Sequence, residues 1–298
     1  METENSQKAF RSTRTALADS GSGSGSVSTE GASDCARSRF LPSRRSATVC
    51  SVEMLCDGVY SLELSDRYMA HHAHAGQFAN LYLHDTARIL PRPLGIASVK
   101  GDVVRFIFAV VGEGTRQLSQ ARIGDSIDVL GPLGNGFSLK KEGRYLLVGG
   151  GLGVPPLVRA AQEIRQLEGA LSTAVFGYRA EHFADNIVGE FSDSTLSIDE
   201  SEGNVINLLN KWVEDAESTG PGVRAAMDDV EILSCGPHPM MMAVAQWAKE
   251  RGLRAQLSLE ARMGCGFGTC VACVTPTRDG LKKVCIDGPV FTVEQLGW

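Results

Sequence analysis

Between Ala47 and Lys140 the apolar residues recur in short, alternating runs. ATVCSVEMLCDGVYSLELS alternates and then turns at Asp57-Gly58, the strongest short hairpin signal. GQFANLYLHD, LGIASVKGDVVRFIFAVV and DSIDVLGPLGNGF continue as short strands broken by Gly, Asp and Pro. Only the stretch around Thr115 to Ala121 has a helical period. Evenly spaced short strands predict a small antiparallel barrel.

From Gly143 the rhythm changes. YLLVGG, TAVFGY and VEILSCGP read as buried strands. GVPPLVRAAQEIRQLEG, VINLLNKWVEDA and PMMMAVAQWAKERG read as amphipathic helices, the first ending at Gly169 and the last at Gly252. Alternating strands and helices predict a parallel sheet with helices on both faces. The expected fold class is therefore a β barrel plus α/β. Its divisions are a tail (residues 1–46), the barrel (47–142), the α/β domain (143–253) and a small C-terminal cysteine module (254–298).

Composition narrows the classes. Hydrophobic residues make up 43% of the 298, enough for a buried core, whereas the first 46 are rich in Ser, Gly, Arg and Thr. That segment reads as a disordered tail, because it cannot bury enough surface to offset its ordering entropy. The net charge of −6 excludes a nucleic-acid binder that relies on phosphate contacts. No apolar run is long enough to span a membrane. Eight cysteines, half of them clustered, do not form a secreted disulfide framework and point to a reducing, cytoplasmic compartment.

The cluster is Cys265, Cys270, Cys273 and Cys285, spaced C-x4-C-x2-C-x11-C. Thiolates suit zinc or iron–sulfur clusters. Zinc sites show paired C-x2-C knuckles, and here there is one. The C-x4-C-x2-C order with a later fourth cysteine matches the plant-type 2Fe–2S arrangement. Gly264, Gly266 and Gly268 let a loop come close to a cluster at positive φ and aim its N–H groups at sulfur. A zinc staple and free thiols are the competing readings.

Elsewhere the glycines mark turns. Strand Tyr145–Val148 runs into a G-x-G-x-x-P turn at Gly151, Gly153 and Pro156, ahead of a helix, which suits a phosphate or serves a purely structural turn. Ser234-Cys235-Gly236-Pro237 ends a later strand, where Cys235 either faces a nicotinamide ring or is a small buried thiol. In the barrel, Arg92-Pro93-Leu94-Gly95 offers a cation, and Gly112-Glu113-Gly114-Thr115 offers backbone N–H groups for a pyrophosphate. Both can equally be ordinary hairpin loops. His71, His72 and His74 read as surface loop residues without a carboxylate partner.

Taken together, R-P-x-x, G-x-G-T, G-G-G-x-G-V-P-P and C-G-P resemble the ferredoxin–NADP reductase superfamily. LEARMGCGFGTCVACVTPT with KKVCIDGPVF, and GEGTRQLS, GPLGNGF and GGGLGVPPL, resemble the electron-transfer subunits of class 1B dihydroorotate dehydrogenase, over residues 47–298. The resemblance implies FAD in the barrel, NAD in the α/β domain and a 2Fe–2S cluster on the four cysteines. It also implies an FMN-containing catalytic partner that oxidises dihydroorotate, two copies of each chain in the assembly, and an interface near the cysteine module. Arg92, Pro93, Leu94, Gly95, Ile107, Phe108, Ala109, Gly114 and Thr115 would serve the flavin. Gly151, Gly153, Pro156, Gly236 and Pro237 would frame the nicotinamide nucleotide, with Cys235 at the reacting end. The chain departs from the family in having Gly95 for the usual Ser and Phe108-Ala109 for Tyr-Arg. Sulfide dehydrogenase, hydrogenase and transhydrogenase-type subunits share these modules, and a redox sensor would share the cluster alone. Arg179 followed by Glu181, with no basic group of residues, favours NAD over NADP.

Overall fold

The computed structural model describes residues 43–84, 89–140, 142–179, 181–218 and 229–298, with the backbone alone for 216–218. The predicted tail lies outside these residues up to position 42. Of the rest of it, Arg45 and Ser46 already belong to the first strand. Among the described residues no helix is long and apolar enough to cross a membrane.

Strands β1 (Arg45–Cys56), β2 (Val59–Ser65), β3 (Phe78–Tyr82), β4 (Arg92–Lys100), β5 (Val103–Ala109) and β6 (Ser126–Leu133) close into a barrel in the order β1-β2-β5-β4-β3-β6. Every pairing around it is antiparallel. Cys56 pairs with Val59 across the Asp57-Gly58 turn, where Gly58 takes φ 70°. Leu62, Leu64, Ile96, Phe106 and Val129 point inward and fill the barrel. Helix α2 (Glu113–Ser119) follows β5. His71 and His72 belong not to a loop but to helix α1 (Arg67–His72). Its N-cap Asp66 accepts from the Met69 N–H at 3.0 Å, and Met69 and Ala70 are buried beneath it. Carboxylates do face this group, since His71 lies 3.0 Å from Asp102 and His74 lies 4.0 Å from Glu163.

The second sheet contains β7 (Gly143–Gly150), β8 (Ala170–Tyr178), β9 (Ser194–Asp199), β10 (Val230–Cys235), β11 (Arg254–Ser258) and β14 (Val290–Thr292), in the order β14-β11-β10-β7-β8-β9. Only β14 runs antiparallel to its neighbour. Its helices are α3 (Val154–Ile164), α4 (Asp185–Gly189), α5 (Val205–Ser218) and α6 (His238–Glu250). Pro155 and Pro156 sit in the first turn of α3, where a missing N–H costs nothing. The helix stops at Ile164 rather than Gly169. The Leu167 N–H bonds back to the Ile164 carbonyl at 2.9 Å, and Gly169 at φ 75° turns the chain into β8.

Three strands lie where the sequence pattern did not place them: β9, β11 and β14, the last also drawn from the expected cysteine module. β9 is an edge strand with no fully buried position, so it lacks the apolar run of its neighbours. Arg254–Ser258 belongs to this sheet and not to the cysteine module. Its polar Gln256 is tolerated in the core because Nε2 donates to Glu231 Oε1 at 2.7 Å and to the Ser138 carbonyl at 2.8 Å. The remaining strands β12 (Val274–Thr277) and β13 (Gly280–Lys283) form a hairpin, and the short helix α7 (Val293–Leu296) closes the chain.

Helix α3 docks against the barrel through side chains that mimic a strand. Gln162 accepts from the Val99 N–H at 3.0 Å and donates to the Val99 carbonyl at 2.6 Å, beside the irregularity between Ile96 and Ser98 of β4. Glu163 accepts from the Ala75 N–H at 3.0 Å, and Arg159 donates to the Ala73 carbonyl at 3.0 Å. Gln162→Ala strands two backbone groups at this junction. It should lower stability by about 1–3 kcal/mol, read as a lower urea midpoint with an unchanged slope.

Candidate functional site

The barrel, the α/β sheet and the residues just before the cysteine loop meet around a cavity of ≈ 360 Å³. From the barrel it is lined by Arg92, Pro93, Leu94, Gly95, Ile107, Phe108, Ala109 and Thr115. Leu152, Pro155, Pro156 and Cys235 face it from the α/β domain, and Ala261 and Met263 from the approach to the cysteines. Gly114 stands just behind this lining. A Cβ there would lie 1.9 Å from Arg92 Nε, so the guanidinium rests directly on the bare backbone. Arg92 Nη1 donates to the Leu90 carbonyl at 2.6 Å, which fixes the cation. Thr115 serves the loop itself: its hydroxyl accepts from the Val111 N–H at 3.0 Å and donates to the Gly112 carbonyl at 3.0 Å. An apolar slot with one held cation and a bare turn fits a flat ring carrying a phosphate chain.

Parallel pairing sets Cys235 opposite Gly149, which brings the turns after β7 and β10 together. A Cβ on Gly153 would stand 2.2 Å from the Cys235 carbonyl oxygen, so only glycine permits the contact. Gly236 takes φ 156° beside Gly150, and Pro237 caps α6. Gly151 takes φ 52° and has open space before it, room for a ligand at the carboxyl edge of the sheet. Burial, reinforced by the charge of Glu260, pushes the Cys235 thiol up to about 12, against a hydrogen bond with Ser258. At neutral pH it is therefore an uncharged thiol.

Glu260 was not singled out in the sequence, although it stands only five residues before Cys265. It lines the cavity at an exposed mouth, yet desolvation raises its carboxyl above the ordinary range.

A second group lies at the carboxyl ends of β8 and β9. His182 Nδ1 stands 3.0 Å from Asp185, Nε2 stands 3.1 Å from Asp199, and the ring stacks on Tyr178. With Glu181 and Glu200 nearby in the chain, this edge is acidic, and Arg179 itself faces Glu200 at 3.6 Å. Burial works to lower the pKa of His182, but its hydrogen bonds and charge contacts with Asp185 and Asp199 outweigh it and raise the pKa above the ordinary 6.5. A raised folded pKa gives stability that is complete below the unfolded value and lost as pH rises through the folded one. His182→Gln should therefore cost roughly 0.2–1 kcal/mol near pH 6 and less near pH 9, measured by urea midpoints at both.

The four cysteines of the motif are free thiols, Cys265, Cys270 and Cys273 on the loop before β12 and Cys285 just after β13. Cys265 contacts Cys270, and Cys285 contacts Cys273; the two pairs are close enough to feel each other's charge. Cys273 and Cys285 are each 1% exposed, and Cys265 and Cys270 are half-buried. Among the described residues no three His, Cys, Asp or Glu side chains group around a single ion position. Two adjoining thiol pairs suit a dinuclear cluster, one pair to each metal, better than one tetrahedral ion. Burial acts to raise the Cys265 thiol, but N–H groups of Cys270, Phe267 and Thr269, with the Cys270 thiol, bring it down to about 6. Burial and the neighbouring Cys273 push Cys285 up to about 12. Gly266 and Gly268 take φ 76° and 87°. Gly264 does not adopt positive φ; it is small because a Cβ there would stand 3.3 Å from Cys270 Sγ.

Residues 260–297 match the family model for the iron–sulfur cluster binding domain of dihydroorotate dehydrogenase B. The chain is 36% identical over 264 residues to the electron transfer subunit of dihydroorotate dehydrogenase B (NAD(+)) from Geobacillus kaustophilus, covering 85% of this chain and 98% of that one. It is 32% identical to the corresponding subunit of Clostridium perfringens, over 80% of this chain and 91% of that one. Among solved structures, a chain of an NADH-dependent reduced ferredoxin–NADP oxidoreductase superposes with a TM-score of 0.71 at 28% identity, covering 85% of this chain and 90% of that one. The ferredoxin–NADP+ reductase of Neisseria gonorrhoeae shares the fold at 18% identity and a TM-score of 0.56, over 70% of this chain and 92% of that one.

Proposed function

Because the chain belongs to the family of dihydroorotate dehydrogenase B electron transfer subunits, we propose that its three parts form one relay from a catalytic partner to NAD+. The chain is an NAD-linked flavin and iron–sulfur oxidoreductase subunit, and its cofactors are FAD, a 2Fe–2S cluster and NAD. When bound, the flavin would supply a carrier that handles both one and two electrons, the cluster a one-electron centre, and NAD a hydride acceptor. The partner is the dihydroorotate dehydrogenase catalytic subunit. In our reading it carries FMN, and two copies of each chain assemble in a reducing, cytoplasmic compartment.

The residues divide the work. Arg92 supplies the positive charge for the flavin's phosphates, and Gly114 leaves the backbone bare beneath it. Leu94, Ile107 and Phe108 wall off water, and Pro93, Gly95, Ala109 and Thr115 shape the slot. Gly151, Gly153 and Pro156 let backbone N–H groups approach the nucleotide, with Gly236 and Pro237 closing the other side. Cys235 presents a neutral thiol, which would put no charge beside a nicotinamide ring held there. Cys265, Cys270, Cys273 and Cys285 hold the cluster. Around them Phe267, Val271 and Ile286 are 49%, 71% and 46% exposed, an apolar collar suited to docking the partner.

One observation carries this reading: Met263, two residues before the first cysteine ligand, lines the same cavity as Arg92 and Cys235. A cluster held there would sit beside a flavin held by the barrel. Visible absorption and EPR spectra of the anaerobically purified chain, before and after NADH, test it. Flavin bands and a cluster signal that develops on reduction are expected. A colourless, zinc-containing protein would overturn it.

A further inference from the structure

Asn80 sits in the middle of β3 with no exposed surface, between the equally buried Ala79 and Leu81. An amide in such a position is costly when its polar groups go unpaired. Half of it is paired. Nδ2 donates to the backbone carbonyl of Cys265 at 2.7 Å, 185 residues along the chain. Oδ1 is buried and has no hydrogen-bond partner.

The amide also shapes the next residue. A Cβ at Gly266 would stand 2.4 Å from Nδ2 and 2.7 Å from Oδ1, so Asn80 and the φ of 76° both require glycine. Cys265 and Gly266 open the turn that aims the N–H groups of Phe267, Thr269 and Cys270 at Cys265 Sγ, with Cys270 N at 3.4 Å. On its other side Asn80 pairs with Pro93 of β4, and Pro93 lines the flavin cavity. One side chain thus joins the peptide of the first cluster ligand to the wall of the flavin site.

We propose that Asn80 is a positioning residue whose hydrogen bond to the Cys265 carbonyl sets the cluster's affinity for an electron. The inference rests on the relay reading above. A donor on the carbonyl draws electron density from the ligand peptide and so favours the more negative, reduced state. Its removal favours the oxidised state.

The test is an EPR-monitored redox titration of the assembled holoenzyme, wild type against Asn80→Leu and Asn80→Ala. Iron, sulfide and flavin contents should be unchanged, as should the rate at which NADH bleaches the flavin. At the wild-type midpoint the ratio of reduced to oxidised cluster should fall about tenfold, which is ~59 mV for a one-electron couple, with altered g-values. Unchanged midpoints and g-values in both variants would overturn the proposal. Loss of the cluster from both would overturn it too, since Asn80 would then be a strut for the loop and not a determinant of potential. A wild-type cluster that NADH cannot reduce sinks the relay reading instead, and the same titration with dithionite still decides the role of Asn80.

Discussion

Cys285→Ser should leave a chain that binds flavin but holds no cluster. Cys285 is 1% exposed and contacts Cys273, so no other described cysteine can replace it. Cys50 and Cys56 lie on β1 of the barrel, and Cys235 ends β10. A serine hydroxyl is a hard, weakly acidic donor, a poor substitute for thiolate on iron. The remaining pair, Cys265 and Cys270, can complete only one end of a dinuclear centre. The expected loss is complete: no iron or acid-labile sulfide, and transfer to the catalytic partner at background. The two-electron reaction of NADH with an artificial acceptor should persist, because Arg92, Cys235 and the cavity between them are untouched. Wild-type iron content with an unchanged EPR signal would show that the fourth ligand is another residue.

Arg92→Ala should weaken FAD retention about 10- to 100-fold, from the loss of a charge-assisted contact of roughly 1.5–3 kcal/mol. The guanidinium is held by the Leu90 carbonyl at 2.6 Å and lies on Gly114. Where the resemblance implies a second arginine in the strand before G-x-G-T, this chain has Ala109, the last residue of β5. Less of the binding is shared, so Arg92 carries more. Flavin released on dilution and followed by fluorescence measures the effect. Retention equal to wild type would mean that the backbone N–H groups alone hold the phosphates.

Much of the site was legible because it rests on short, local patterns. The C-x4-C-x2-C-x11-C spacing names its chemistry wherever the loop falls. The glycines that end β7 and the C-G-P that ends β10 announce turns because no other residues tolerate those backbones or contacts. The barrel was readable from its alternation, and the parallel sheet from the alternation of strands with amphipathic helices.

What escaped was decided by partners distant in the chain. β9 was not visible because an edge strand buries too little to show an apolar run, and Arg254–Ser258 was assigned to the wrong unit because nothing local says that β10 is its neighbour. The short helix that contains His71 and His72 depends on its cap at Asp66 and on burial of Met69, not on propensity.

By itself, then, the chain determined its class, the order of its parts and the soft-ligand chemistry at its C-terminus, since all three follow from residue type and spacing. Only the tertiary structure decided which parts share a cavity. Met263, Arg92 and Cys235 are far apart in sequence, and only strand pairing and the docking of α3 through Gln162 set them around one space. The same is true of Asn80 and Cys265, whose hydrogen bond spans 185 residues. An amide in a strand looks like a misplaced polar residue until the fold supplies the carbonyl that it serves.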